Sequence, residues 1–288
     1  MRNQIFILFI FPVFISCEKD LKTDVEVNPK LCFNCILNPD SVIKVSLSLS
    51  RSISATSEIQ RIDGATIELK EDGKLLGHLI DKGDGKYSMA NKPLIGSIYE
   101  ISIIMEGYQP LFAKTRIPNK PVVSYVKSAL RLQTGRGTGI NYIYDVSYTI
   151  HDCLGTNRYW NYTKSKFNDK WHFYGGYGGI DSPFFDDFNK EIDATYENGF
   201  FYQYYLRIND FGFEGTSVDI KYTYYSEHII ESFFLDAEEH YDKYLKSSIK
   251  QKLNDEGSLL FNEPVQIYSN IENGLGIFGS AAITKIKL

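Results

Sequence analysis

Residues 41–50, SVIKVSLSLS, alternate without interruption: Ile43, Val45, Leu47 and Leu49 face one way, Lys44, Ser46, Ser48 and Ser50 the other. A side-chain period of two belongs to a strand with one face on a core and one in water. A helix, at about 3.6 residues per turn, would scatter these apolar groups around its surface. The same constraint recurs along the chain. In GATIELKEDGKLLGHLIDKGDGKYSM, Ile67 and Leu69 point inward, Asp72-Gly73 marks a turn, a second strand runs to Leu79, and Asp84-Gly85 marks another turn. In SIYEISIIMEGYQP, Tyr99, Ile101, Ile103 and Met105 share a face before a turn at Gly107. Ahead of these, KLCFNCILNPD reads as a strand that ends at Asn38-Pro39-Asp40. Short strands at this spacing predict an antiparallel β-sandwich over residues 31–118.

The order of these segments resembles the transthyretin-like and carboxypeptidase-regulatory-like sandwiches of secreted bacterial proteins, which implies an Ig-like/transthyretin-like β-sandwich. Pro118-Asn119-Lys120-Pro121 is the expected boundary, because proline cannot sit inside a central strand. A second β-rich domain is expected over residues 122–288, with strands at Val122 to Leu132 and Tyr142 to Ile150. Sixteen of the 21 tyrosines fall between Tyr142 and Tyr244, together with Trp160 and Trp171, and tyrosine suits a pleated, half-wet surface. One amphipathic helix stands out. Asp236 and Glu239 read as a capping pair, and Tyr241, Leu245, Ile249 and Leu253 recur every four residues. Glu239–Lys243 and Asp242–Lys246 add i,i+4 pairs on its wet side. The expected fold class is therefore mainly β, with one helix laid on a sheet.

The N-terminus, MRNQIFILFIFPVFISCEKD, sets the address. Arg2 precedes an apolar run from Ile5 to Ile15, too short to cross a bilayer core but the right length for a secretory leader. Phe14-Ile15-Ser16-Cys17 looks like a bacterial lipobox, which implies that residues 1–16 are removed and Cys17 carries the lipid. Two or more fatty chains anchor a protein stably where one holds only marginally. Residues 17–30 then form a polar tether that puts the body on the order of 20 Å from the lipid. No later stretch is apolar for long enough to span a membrane. Glu18-Lys19-Asp20 resembles the short acidic signals that send lipoproteins to the cell surface, and the periplasmic side remains the alternative.

Removing residues 1–16 takes away one cation and no anion, leaving 30 basic and 36 acidic side chains. A mildly acidic, unclustered surface argues against nucleic acid, which wants a basic stripe. Gly274-Leu275-Gly276-Ile277-Phe278-Gly279 matches G-x-G-x-x-G, but only Ser280 to Leu288 follow, and these alternate as a strand. The motif needs a helix and, about 20 residues on, an acid. A glycine turn between two strands is expected, and no nucleotide. Cys32 and Cys35 lie on opposite faces of a strand, too far apart to bridge, and no second pair completes a zinc site. Free, partly buried thiols are expected there and at Cys153, with an intramolecular bridge as the rival in an oxidising compartment.

A lipobox, then KLCFNCILNPDSVIKVSLSLSRSI, GATIELKEDGK, HYDKYLKSSIKQ and EPVQIYSNIENGLGIFGS together resemble a Bacteroidetes outer-membrane lipoprotein family catalogued as domain of unknown function 4249. The resemblance covers nearly the whole chain and is most specific from Glu263 to Gly279. It implies an outer-membrane address and often a neighbouring TonB-dependent receptor. It implies no activity.

Few residues suggest chemistry. His78, His151, His172, His228 and His240 are scattered, no G-x-S-x-G occurs, and His151-Asp152 and Glu227-His228-x-x-Glu231 read as polar surface. Asp181, Asp186, Asp187, Glu191 and Asp193 lack the order of a calcium loop. KWHFYGGYGGID is the candidate surface: Trp171, Phe173, Tyr174 and Tyr177 around paired glycines could offer a platform to a glycan ring or a partner's apolar anchor, or fold back into the core. The expectation is a lipid-anchored, non-enzymatic binding accessory to a TonB-dependent receptor, without cofactor or metal. The alternatives are an assembly component of the envelope and, behind it, a secreted hydrolase.

Overall fold

In the computed structural model, which describes residues 28–52, 57–134, 140–173, 187–188, 206–210, 213–225, 229–256 and 265–288, the alternating segments are strands. The first part of the chain forms β1 (Leu31–Leu37), β2 (Ile43–Leu49), β3 (Thr66–Glu71), β4 (Lys74–His78), β5 (Ile80–Asp81), β6 (Lys86–Met89), β7 (Ile98–Ile104) and β8 (Leu111–Arg116). The second part forms β9 (Val122–Lys127), β10 (Arg131–Thr134), β11 (Ile140–His151), β12 (Arg158–Phe167), β13 (Lys170–Phe173), β14 (Leu206–Asn209), β15 (Ser217–Tyr225) and β16 (Ile230–Ala237). Helix α1 (Glu239–Glu256) and β17 (Leu275–Lys287) complete the chain. The fold is mainly β, in sandwich-like layers.

A nine-stranded sheet runs in the order β13-β12-β16-β17-β1-β2-β6-β5, with β14 sharing one edge of β12 with β13. A second sheet is β4-β3-β7-β8. In the third, β9 and β10 pair with one side of β11 and β15 with the other. Side-chain parity along β17 shows how these layers stack. Phe278 lies in a core with Phe33, Leu47, Ile67, Ile103 and Leu111, so the second sheet covers that face. Ile286, of the same parity, lies in a core with Tyr148, Ile208, Tyr224 and Phe234, so the third sheet covers the same face further along. Ala281 and Ile283, of opposite parity, meet Tyr241, Leu245 and Ile249 of α1 on the other face. Each fully buried Leu, Ile or Phe in these layers contributes about 1.5–3 kcal/mol.

The last strand holds the two halves together. Its first residues pair parallel with β1, from Cys32↔Leu275 to Leu37↔Ser280. Its later residues pair antiparallel with β16, from Ala237↔Ala281 to Glu231↔Lys287. Ile271 and Phe278 thus belong to the first core although they follow the proline boundary by more than a hundred residues. The glycines make this pairing possible. Gly276 has φ +108°, and a Cβ there would lie 2.0 Å from the carbonyl oxygen of Phe33. A Cβ on Gly274 would lie 2.9 Å from the oxygen of Leu31, and one on Gly279 2.9 Å from Cβ of Tyr241. The glycine turn expected between two strands is instead the entry and interior of one strand, because β1 and α1 approach its backbone too closely for side chains.

Other local readings hold or shift for definable reasons. Asp72-Gly73 (φ 49° and 77°) and Asp84-Gly85 (φ 56° and 64°) adopt the left-handed geometry that hairpins with two-residue turns favour. The segment read as one strand from Val122 to Leu132 is two, β9 and β10, both on the same side of β11. The helix cap is Glu238, not Asp236. The Glu238 carboxylate accepts the His240 N–H at 2.9 Å, and the Asp242 N–H bonds the Glu238 carbonyl, while Asp236 belongs to β16 and accepts the Arg158 N–H at 2.9 Å. Cys32, Cys35 and Cys153 are free thiols; Cys35 is buried in the first core, which pushes its pKa up to about 12.

Candidate binding groove

Strand β12, RYWNYTKSKF, sends Trp160, Tyr162 and Lys164 to the helix side of the long sheet. The turn Asn168-Asp169, with φ 48° and 60°, folds β13 back along it. The register Lys164↔Phe173 and Lys166↔Trp171 sets both aromatics of β13 beside lysines on that same face. Helix α1 lies over the neighbouring part of the face and is fixed there by a buried charge. Asp242 accepts the Trp160 indole N–H at 2.8 Å and the Arg207 Nε–H at 2.7 Å, with Lys246 at 3.6 Å. The Asp242 and Arg207 side chains are 7% and 6% exposed, so each satisfies a charge that burial would otherwise penalise by several kcal/mol.

Between α1 and the sheet lies a groove of about 350 Å³. Trp160, Tyr162, Leu235 and Ile283 form its floor, and Tyr241, Leu245 and Ile249 its helical wall. Phe173 closes the side at the sheet edge, and Ser248 and Lys252 are the polar groups among its described lining residues. Apolar walls with a few polar groups are the composition of small-ligand sites. At the Phe173 end the aromatics continue along the sheet. Tyr162 stacks on Phe233 with ring centroids 4.7 Å apart and planes 9° from parallel, and Phe173 tilts against Tyr162 at 5.9 Å. The Lys164 ammonium stands 5.0 Å from the Phe173 centroid, 5.6 Å from Tyr162 and 5.8 Å from Phe233. Lys285 lies 5.7 Å over Phe233 and 2.7 Å from Glu231, whose register partners are Lys164 and Lys287. Among the described residues the end of the groove therefore carries more positive than negative charge, within a chain whose net charge is −5.

Of the candidate residues read from the sequence, Trp171 and Phe173 are 42% and 43% exposed and sit on a strand, not on a loop. Phe173 reaches the groove, and Trp171 lies two residues back on the same face. Cys17, Tyr174 and Tyr177 lie outside the described residues, as do Asp181, Asp186, Glu191, Asp193 and His228. Tyr162, Lys164, Phe233 and Lys285 were not singled out, although the period of two in Trp160, Tyr162 and Lys164 was there to be read.

Among the described residues, the other polar groups fall into separate clusters. His151 is exposed on the third sheet, with Ser217 Oγ 2.9 Å from Nδ1 and Ser124 Oγ 3.0 Å from Nε2. Its neighbour Asp152 faces elsewhere, accepting the Tyr159 hydroxyl at 2.7 Å and the Gly215 N–H at 2.8 Å, so the pair does not act as one unit. A cleft of about 450 Å³ on the outer face of the second sheet mixes Glu68, Glu100 and Glu272 with Lys70, Lys114 and His240. At the junction of the halves, burial pushes the Asp236 carboxyl up to about 7, against the opposing pull of the Arg158 N–H and the Arg158 and Arg207 charges. Among the described residues no cluster of three or more His, Cys, Asp or Glu could hold a metal ion. No described helix is long and apolar enough to cross a membrane.

No curated protein matches the sequence. Among solved structures, one from Corynebacterium diphtheriae, described as a membrane-anchored protein, aligns at 8% identity and a TM-score of 0.22 over 73% of this chain. The chain spans 54% of that structure's length. The family described as "Domain of unknown function (DUF4249)" matches residues 18–287, and the chain belongs to that family.

Proposed function

We propose that the mature protein is a lipoprotein of the outer membrane, held by fatty chains on Cys17, that binds a ligand as a non-enzymatic accessory to a TonB-dependent nutrient-uptake receptor. The observation that supports this reading best is the apolar groove between α1 and the long sheet, with Phe173 at its edge and lysines at its end. Its contribution would be concentration: a ligand held on a tethered body beside a receptor is delivered at high effective concentration, without new contacts at the transport site.

Two measurements test the reading. Mass spectrometry of the processed protein should find residues 1–16 removed and Cys17 acylated; an intact leader or an unmodified thiol refutes the anchor. Co-purification from gently solubilised outer membranes should recover a TonB-dependent receptor. Its repeated absence, with another stoichiometric partner in its place, would favour an assembly component of the envelope.

A further inference from the structure

We infer that the groove takes an amphiphilic anion, with an apolar tail between Leu245, Ile249 and Ile283 and a carboxylate head beyond Tyr162 and Phe173, at Lys164. This rests on the binding role proposed above and names the class of ligand. Three observations carry it. The described walls of the groove are aliphatic and aromatic, with Ser248 and an already partnered Lys252 as the polar groups. Such walls have little with which to hydrogen-bond the many hydroxyls of a neutral sugar, whereas they match a hydrocarbon chain.

The second observation is the charge at the end of the groove. Tyr162 and Phe173 line it, and the Lys164 ammonium lies within 6 Å of both ring centroids. Lys164 is half-buried, and among the described residues no carboxylate lies within ion-pair distance of it. Ring quadrupoles offset part of the cost of that position, at about 0.5–2 kcal/mol each, and leave the charge itself unneutralised. The nearest acid by register, Glu231, is already paired with Lys285. An anion arriving at this end gains an unpaired cation in a partly desolvated setting, where charge-assisted contacts are stronger than in water. Third, the capacity suits a small amphiphile: about 350 Å³ is at the lower end of small-ligand sites.

The test uses the chain carrying Cys17→Ser, which keeps the body complete and removes the attached lipid. Dansyl-aminoundecanoate serves as fluorescent probe, displaced by dodecanoate or dodecanol. Dodecanoate should displace it about tenfold more effectively than dodecanol, equivalent to about 1.4 kcal/mol. Lys164→Gln should weaken the anionic probe as well as dodecanoate, bring the acid's inhibition constant to parity with the alcohol's, and leave the alcohol's inhibition constant unchanged. Ile249→Trp should fill the groove and abolish displacement by both, with circular dichroism confirming that α1 persists. No saturable displacement, parity of acid and alcohol in the unsubstituted groove, or a Lys164→Gln protein that still prefers the acid overturns the inference. A receptor that co-purifies with a body binding no dodecanoate refutes the ligand class alone. Dodecanoate binding with no receptor refutes the accessory role alone.

Discussion

Replacing the glycines of the terminal motif one at a time should separate backbone conformation from close packing. Gly64 is the reference, with φ +77° and open space where an added methyl would sit, so Gly64→Ala isolates the left-handed cost of about 1–2 kcal/mol. Gly276→Ala carries a similar or larger conformational cost at φ +108°, of order 1–3 kcal/mol. It also places Cβ 2.0 Å from the Phe33 oxygen and 2.8 Å from its carbonyl carbon, both backbone atoms that cannot rotate away. Relief requires β17 to move off β1 by about an ångström, which disturbs the parallel ladder from Cys32 to Leu37 and the contact of Phe278 with Phe33. The total should exceed about 4 kcal/mol, the range reserved for a named structural lesion. Gly279→Ala meets a side-chain carbon at 2.9 Å, which a small shift of α1 relieves, at about 1–3 kcal/mol. Urea unfolding followed by tryptophan fluorescence gives the three values in one protein background. At about 2–4 °C per kcal/mol for a domain of this size class, Gly276→Ala should lower Tm by roughly 10 °C or more. A Gly276→Ala protein no less stable than Gly64→Ala would refute the claim that backbone approach fixes this residue.

Three further outcomes follow from the buried polar groups. The Asp236 carboxyl sits at about 7 in the fold against an ordinary 3.8, so the native state holds the proton more tightly than the unfolded chain. Stability from this group is complete below about pH 4 and is lost as pH rises to about 7, by at most on the order of 4 kcal/mol; Asp236→Asn should flatten that part of a stability-versus-pH curve, and an unchanged slope would count against the assignment. Arg207→Ala should destabilise by about 3–5 kcal/mol because it strands the buried Asp242 charge, and Arg207→Ala with Asp242→Asn should recover part of the loss in chemical denaturation. Cys35, buried and with its pKa near 12, should resist iodoacetamide in the native state while Cys32 and Cys153, both partly exposed, label first by peptide mass spectrometry.

The strands were legible where one face is wet. Ile43, Val45 and Leu47, or Tyr99, Ile101 and Ile103, are buried as their alternation requires, because a half-solvated sheet writes its period into the sequence. The pairing was not legible. That β17 lies between β1 and β16 depends on a parallel pairing with β1 across most of the chain, and local alternation carries no record of which strand is the neighbour. The helix was visible from its apolar spacing, but its start shifted because Asp236 is drawn into β16 by the Arg158 N–H, leaving Glu238 to cap. Phe173 was found from aromatic density alone. Lys164 and Phe233 were passed over because a lysine among rings becomes meaningful only once three strands bring Tyr162, Phe173 and Phe233 around it. Arg207 gave no warning, since nothing local distinguishes a buried arginine from an exposed one.

The long sheet also orients the molecule relative to its tether. β1 and β17 run parallel and start at the same end, with Cys32 opposite Leu275, so the tether enters where β17 begins. β17 has 13 residues, and at about 3.3 Å per residue its far end lies about 40 Å away. Lys287 is at that far end and is level, through Glu231, with Lys164 beside the groove. The point where the chain enters β1 and the cationic end of the groove therefore lie at opposite ends of one continuous strand. On the proposal that Cys17 carries the lipid, the lysine end would be the part of this sheet farthest from where the chain enters it, and so open to solutes. The proposed accessory role would need this arrangement, because an apolar groove resting on a membrane would fill with lipid before it met any other ligand.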